Sequence, residues 1–401
     1  MNNVNKLLVG RVLTNIGDSF IYMLFLWFLN TRMQSPVFLS IMFILVNSID
    51  VFSFLIGPII DRVKLKRVLV YSSLIQTFFV LALLLAILVW PHMSTITLAI
   101  AGITATFIVE LGSAFIYPLE SKVVKRIVPE NELVKVNSLF QATYKTIDVL
   151  LNAVATIAVT FVAMNAYLAI TIVILWLATM FYRFISIPES TTAADQEELE
   201  EESLSSYGAD IKEGVSELFA HKKLLRMLLP LTGINLFYAA SAVALPKFAQ
   251  TFLGGQAFNY GSVLLVASVG SILGAFLTRF VQNYAAHEQR LTAICLLVSG
   301  AGQLMFACGW LVNGYVSLLG LMISGAAISM MNVFFASWVQ AVIPDQTLGR
   351  VSTINESILS AMMPIGDFAG GLMLAALGPV AVQVMYGVSL LIFTAFYVFI
   401  R

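Results

Sequence analysis

PENELVKVNSL, residues 129–139, is written again as PDQTLGRVSTI, residues 344–354, 215 residues further along a chain of 401. The two copies share a proline (Pro129, Pro344), an acid (Glu130, Asp345), an amide (Asn131, Gln346) and a leucine (Leu133, Leu348). A base (Lys135, Arg350), a valine (Val136, Val351) and a closing aliphatic (Leu139, Ile354) follow in step. A second echo has nearly the same offset: GPIIDR, Gly57 to Arg62, is matched by GAFLTR, Gly274 to Arg279. Self-similarity at a fixed offset is the mark of a duplicated unit, and it predicts a chain built as two like halves.

Composition says what each half is made of. Hydrophobic residues are 59% of the chain and charged residues 11%, with a mean hydropathy of +0.92. A soluble domain carries about 25% charge, so this chain cannot build a water-facing surface and is read as an integral membrane protein. The zero net charge says nothing of partners, because the charges are segregated along the sequence. Cys295 and Cys308 stand 13 residues apart in one apolar stretch; roughly 20 Å of helix separates them, too far for a disulfide, and they read as packing residues. The first apolar run follows Lys6 and Arg11 and contains Asp18, which is unlike a cleavable signal peptide.

A bilayer is crossed by about 20 mainly apolar residues. Twelve such stretches are visible, near 9–30, 36–60, 68–90, 96–119, 138–163, 166–187, 227–249, 257–280, 291–312, 315–343, 351–377 and 379–400. They predict an all-α membrane protein of twelve transmembrane helices, arranged as two pseudo-symmetric six-helix bundles over 1–187 and 227–401. Orientation follows lysine and arginine. With both termini cytoplasmic, all 22 basic residues except Arg32, Lys145 and Lys247 fall in inner loops, inner helix ends or termini. Residues 188–226 read as a cytoplasmic linker: an acidic run from Asp195 to Glu202, then an amphipathic stretch ending in Lys222, Lys223 and Arg226. A solvated tether with an interfacial helix is the plain account of it.

The loop after the second span has a physical reading of its own. Gly57 permits close helix approach. Asp61 can accept bonds from helix N-terminal amides, while Arg62, Lys66 and Arg67 hold the loop at the inner surface. Twelve spans split six and six, a long inner loop and this GPIIDRVKLK stretch (57–66) resemble the major facilitator superfamily, whose loop motif is G-x-L-A-D-R-x-G-R-K. Gly57, the aliphatic Ile59 and Ile60, Asp61, Arg62 and Lys66 fit; Lys64 replaces the second glycine and Leu65 an arginine. VPENELVKVN after span four, IKEGVSELFAHKKLLRMLL entering span seven and LGRVSTINESILSAMMPIG entering span eleven are similar to the macrolide-efflux type of drug:proton antiporter. Span five departs from that type, since QATYKTIDVLLNAVATIAV has no glycine or proline. Span eleven has Pro364, a predicted kink, and Gly366-x-x-x-Gly370, a spacing suited to close packing.

Ionisable groups within spans are costly and point to function where they face a cavity. The resemblance implies that the first and fourth spans of each half line the central cavity, making Asp18 and Glu110 the leading proton carriers; a buried carboxyl group can exchange a proton near neutral pH. The plainer reading of Glu110 is a neutral acid bonded to a neighbouring helix. Lys145 and Asp148, three apart with Gln141 on the same face, read as a local ion pair or as switchable charges. Asp367, beside the glycines of span eleven, is a further candidate. Asp50, two turns before Gly57, shares the gating face with Gly57, Asp61, Arg62, Lys66 and Arg67, and Glu356 at the inner end of span eleven can engage the same latch. Phe237, Tyr238, Met331 and Phe334 fall on spans seven and ten as candidate apolar substrate contacts. His92, His221 and His287 have no metal-ligand spacing, and no Walker-type phosphate loop is present.

The expectation is a secondary transporter and not an enzyme. It needs no metal or cofactor and exports amphiphilic small molecules by proton-coupled alternating access, with the proton gradient as its energy source. Its partners are membrane lipid, protons and the small substrate, without nucleic acid, in a monomer of a bacterial-type cell membrane. Export of an endogenous product such as a siderophore, peptide or lysolipid, import by the same fold, and a membrane sensor stay open. The halves are expected to differ in work: Asp18, Asp50, Glu110, Asp148 and the complete latch all lie in the first.

Overall fold

The computed structural model describes residues 2–33, 35–52, 64–129, 133–187, 216, 222–281, 288–342, 354–355 and 357–399. Among these residues every regular element is helical. Ten helices precede the last: α1 (Asn3–Phe28), α2 (Pro36–Phe52), α3 (Leu65–Val89), α4 (Thr95–Ile127), α5 (Leu133–Phe161), α6 (Met164–Arg183), α7 (Lys222–Phe252), α8 (Ala257–Val281), α9 (Glu288–Gly309) and α10 (Gly314–Val342). The last, α11 (Met363–Phe399), is broken at Gly378, whose φ of 80° leaves the helical region just before Pro379. Glycine tolerates that conformation, and proline then opens the second arm. Among the described residues nine helices are long and apolar enough to cross a membrane; the last is two spans either side of Gly378, and the shorter Pro36–Phe52 and Leu150–Phe161 complete the twelve.

Local signals set several ends. Ser94 caps α4 by accepting from the Thr97 amide at 3.1 Å, satisfying one of the helix's free N–H groups. Asn313 does the same for the start of α10, accepting from Val316 at 3.0 Å. Gly254, with a φ of 111°, turns the chain between α7 and α8. Pro364, expected to kink span eleven, stands in the first turn of α11, directly after the turn at Ala361–Met362 that interrupts the helical stretch begun at Ser357. Proline belongs at a first helical turn because the amide it lacks would have no intrahelical partner there.

The chain forms two compact units. Unit 1 comprises residues 1–33 and 52–209; unit 2 comprises 34–51 and 210–401, so that nearly all of α2 packs with the later helices. In unit 1, α1 packs on α4, α5 and α6, and α3 packs on α4 and α6. In unit 2, α7 packs on α11, α8 on α10, and α9 on both α10 and α11. The pairings α1–α6, α3–α4 and α3–α6 recur as α7–α11, α9–α10 and α9–α11, which is the duplication seen in the sequence carried into packing.

Small residues make these contacts possible. A Cβ on Gly274 would collide with the Ala326 carbonyl, and one on Gly270 with the Met322 carbonyl, so α8 and α10 meet backbone to backbone. Gly366 and Gly370 lie the same way against Leu236 and Ala240 of α7, as the glycine spacing predicts. Several helices expose apolar side chains while burying polar ones among their apolar neighbours. On α3, Tyr71, Ile75, Phe78 and Leu85 are exposed, while Ser73, Gln76 and Thr77 are buried. That inversion suits a helix whose outer solvent is lipid.

Candidate transport site

The inner face of α1 is a polar stripe: Arg11, Thr14, Asn15 and Asp18 are all buried, and their spacing puts them on one face. Arg11, Thr14 and Asp18 each meet a helix of unit 1. The Arg11 guanidinium (Nε) stands 3.3 Å from Glu120 Oε2 on α4. Thr14 and the Tyr182 hydroxyl of α6 are 2.9 Å apart. Asp18 Oδ2 accepts from the Ser113 hydroxyl of α4 in a short hydrogen bond. Ser113 accepts in turn from Gln76 Nε2 of α3 at 2.9 Å, and the same nitrogen reaches the Val109 carbonyl at 2.8 Å. Gln76 Nε2 lies 3.5 Å from Asp18 Oδ1. The result is a directed chain, Gln76 to Ser113 to Asp18, in which each bond polarises the next.

Unit 2 has a neutral counterpart. Gln383, in the second arm of α11, accepts on Oε1 from Ser241 Oγ of α7 at 2.7 Å and from Gln303 Nε2 of α9 at 2.8 Å. Its own Nε2 donates to the Ser241 carbonyl at 2.9 Å. A second acid lies apart from this hub. Asp367 is fully buried; its Oδ2 accepts from Asn47 Nδ2 of α2 at 2.7 Å and its backbone carbonyl from Ser40 Oγ at 2.8 Å.

The other residues singled out from sequence fall as follows. Glu110 is half-buried on α4, one turn from Thr106 and Ser113. Asp50 is exposed on α2, and Lys66 and Arg67 are exposed at the start of α3. Lys145 and Asp148 are on α5, but their side chains lie outside the description; Gly57, Asp61, Arg62 and Glu356 lie outside the described residues altogether. Met331 and Phe334 are buried in the apolar core of unit 2 with Met227, Leu231 and Tyr386, and Phe237 packs against that core. Tyr238 is exposed, its ring centroid 6.0 Å from that of Tyr386. Cys295 is buried and Cys308 exposed, both as free thiols.

Sequence reading missed Arg11–Glu120 and the Gln383 hub. The stripe at 11, 14, 15 and 18 was the available signal for the first. The hub consists of uncharged groups that no search for charges finds.

Exposed apolar faces, buried polar side chains and helix pairings that recur along the chain define a multi-pass membrane transporter fold. The chain belongs to the Major Facilitator Superfamily, whose sequence pattern it matches over residues 7–367. It is 22% identical over 365 residues to macrolide efflux protein A of Streptococcus pyogenes, covering 89% of this chain and 85% of that one. The Enterococcus faecalis protein of the same name is 24% identical over 328 residues, 79% of this chain and 94% of the relative. The uncharacterized MFS-type transporter YfmI of Bacillus subtilis (strain 168) is 22% identical over 395 residues, 96% of this chain and 93% of its own. Among solved structures, the nucleoside transporter NupG superposes with a TM-score of 0.70 at 14% identity, over 100% of both chains. A D-xylose-proton symporter gives 0.70 at 14% identity, over 98% of this chain and 96% of that one. At such identities the structures speak for the fold alone. Family and fold are those of membrane transporters, not of enzymes.

Proposed function

We propose that the protein exports amphiphilic small molecules, macrolide-like in character, in exchange for protons. The observation that carries the coupling is Asp18: a buried carboxyl on α1 held by a directed hydrogen-bond chain through Ser113 from Gln76. A proton taken up there changes the charge of the unit's interior, which biases one facing of the carrier over the other. Glu110, half-buried one turn from Ser113 on α4, passes the proton between Asp18 and water. Lys145 and Asp148 form a compensating pair on α5, and Asp50, Gly57, Asp61, Arg62, Lys66, Arg67 and Glu356 make the inner latch. Phe237, Tyr238, Met331 and Phe334 are the proposed apolar contacts of the ligand. The protein works as a monomer of the plasma membrane with both termini cytoplasmic, and it uses no cofactor beyond the proton gradient.

Support for export comes from the macrolide efflux proteins that the chain resembles along 89% of its length. The test is a panel of macrolides and other amphiphiles in inverted vesicles with an imposed proton gradient. Uptake that collapses with the gradient supports the reading. Gradient-driven movement of substrate in the opposite sense makes the protein an importer.

A further inference from the structure

The two carboxyl oxygens of Asp367 are not treated alike. Oδ2 is bonded to Asn47, whereas the buried Oδ1 has no hydrogen-bond partner among the described residues. Ser40 and Asn47, two turns apart on one face of α2, both bond this single residue of α11. One turn further on, Gly371 gives Ser40 room that a Cβ would fill. Thus, among the described residues, Asp367 holds α2 against α11 through two hydrogen bonds.

The surroundings bear on which form of the acid fits. Among the described residues, the titratable groups on α2 and in the middle of α7 are Asp50, exposed on α2, and Tyr238 of α7, which interacts electrostatically with Asp367. The basic residues of α7 stand at its ends: Lys222, Lys223, Arg226 and Lys247. Among the described residues no cation forms an ion pair with Asp367. Holding a charge in such a place costs more than one amide donor returns. The seated arrangement fits the neutral acid, with its proton on Oδ1.

We infer that Asp367 is a second proton-binding site, and that loss of its proton releases α2 from α11. The inference rests on the transport reading for what the movement serves, and gives the C-terminal half a share in coupling. Proton binding at Asp367 favours the seated form; ionisation favours hydration of the carboxylate and separation of the two helices.

The test uses the full chain in lipid nanodiscs with Cys295→Ser, Cys308→Ser and Ser40→Cys, the last exchanging only the side-chain oxygen for sulfur. Maleimide labelling of this buried position is followed from mildly acid to mildly alkaline pH, each rate divided by that of the same protein unfolded in detergent. The expected result is an increase of at least about fivefold toward alkaline pH, a flat, slow rate once Asp367→Asn is added, and a restored dependence with Asp367→Glu. If Asp367→Asn impairs folding, the comparison of Asp367 with Asp367→Glu carries the test. A flat profile with Asp367 present, or the same rise in a folded Asp367→Asn protein, overturns the inference. Gradient-driven export is read separately on these preparations. Export without pH-dependent labelling removes this site and spares the transport reading; labelling without export does the reverse.

Discussion

Arg11 on α1 and Glu120 on α4 are paired inside unit 1, Nε to Oε2 3.3 Å, with side chains only 7% and 11% exposed. The pair lies seven residues from Asp18 along α1, about 10 Å of helix, with the Thr14–Tyr182 contact between them. A buried pair adds little net stability, but breaking it strands a charge. Glu120→Gln alone is expected to cost roughly 3–5 kcal/mol, seen as a lowered melting temperature in detergent. Arg11→Met with Glu120→Leu should recover most of that loss. Equal damage from the single and double variants would show that the pair is held for a reason other than mutual neutralisation.

The close contacts of unit 2 make a graded prediction. Gly274→Ala drives a methyl into the Ala326 carbonyl, and Gly370→Ala one into Ala240, whereas Gly255 has nothing within 4 Å. Backbone cannot yield as a side chain can, so the first two should each destabilise by about 1–3 kcal/mol. Gly255→Ala should be neutral. Thermal unfolding of the three variants side by side checks the ordering.

Gln383 joins three helices with one amide. Gln383→Leu removes all three bonds and leaves Gln303 and the Ser241 hydroxyl without their partner. Each buried group so stranded costs about 1–3 kcal/mol. The expected outcome is a large drop in folded yield, partly restored by also replacing Gln303 with Leu. Expression and monodispersity by size-exclusion chromatography measure it.

Much of this architecture could be read from the chain because membrane constraints are local. Twenty apolar residues make a span whatever surrounds them, and Gly378–Pro379 marks the last break in the sequence itself. Asp18 stood out as an acid in an apolar run. Arg11 and Glu120 did not, since charges near span ends read as inner-surface residues until packing buries them. Gln303 and Gln383 were invisible for another reason: a neutral amide in a span has no signature until its partner is known. Met331 and Phe334 were legible only as apolar residues of span ten, because helix periodicity does not distinguish a ligand-lined face from a packed one; both are buried within unit 2.

Glu110 and Asp18 should separate kinetically. A proton relay speeds transfer without fixing the direction of the equilibrium. Glu110→Gln is therefore expected to slow gradient-driven export by about tenfold or more while leaving its dependence on the gradient intact. Initial rates against the imposed pH difference distinguish a slow, coupled carrier from an uncoupled one.

Coupling through Asp18 is tested most directly by Asp18→Asn, a variant of nearly the same shape that cannot release a proton. Purified protein is reconstituted in vesicles, and macrolide movement is followed both with an imposed proton gradient and as gradient-free exchange of labelled for unlabelled substrate. Loss of gradient-driven accumulation with exchange retained is the predicted result. Accumulation by Asp18→Asn at the rate of the parent protein would contradict the assignment.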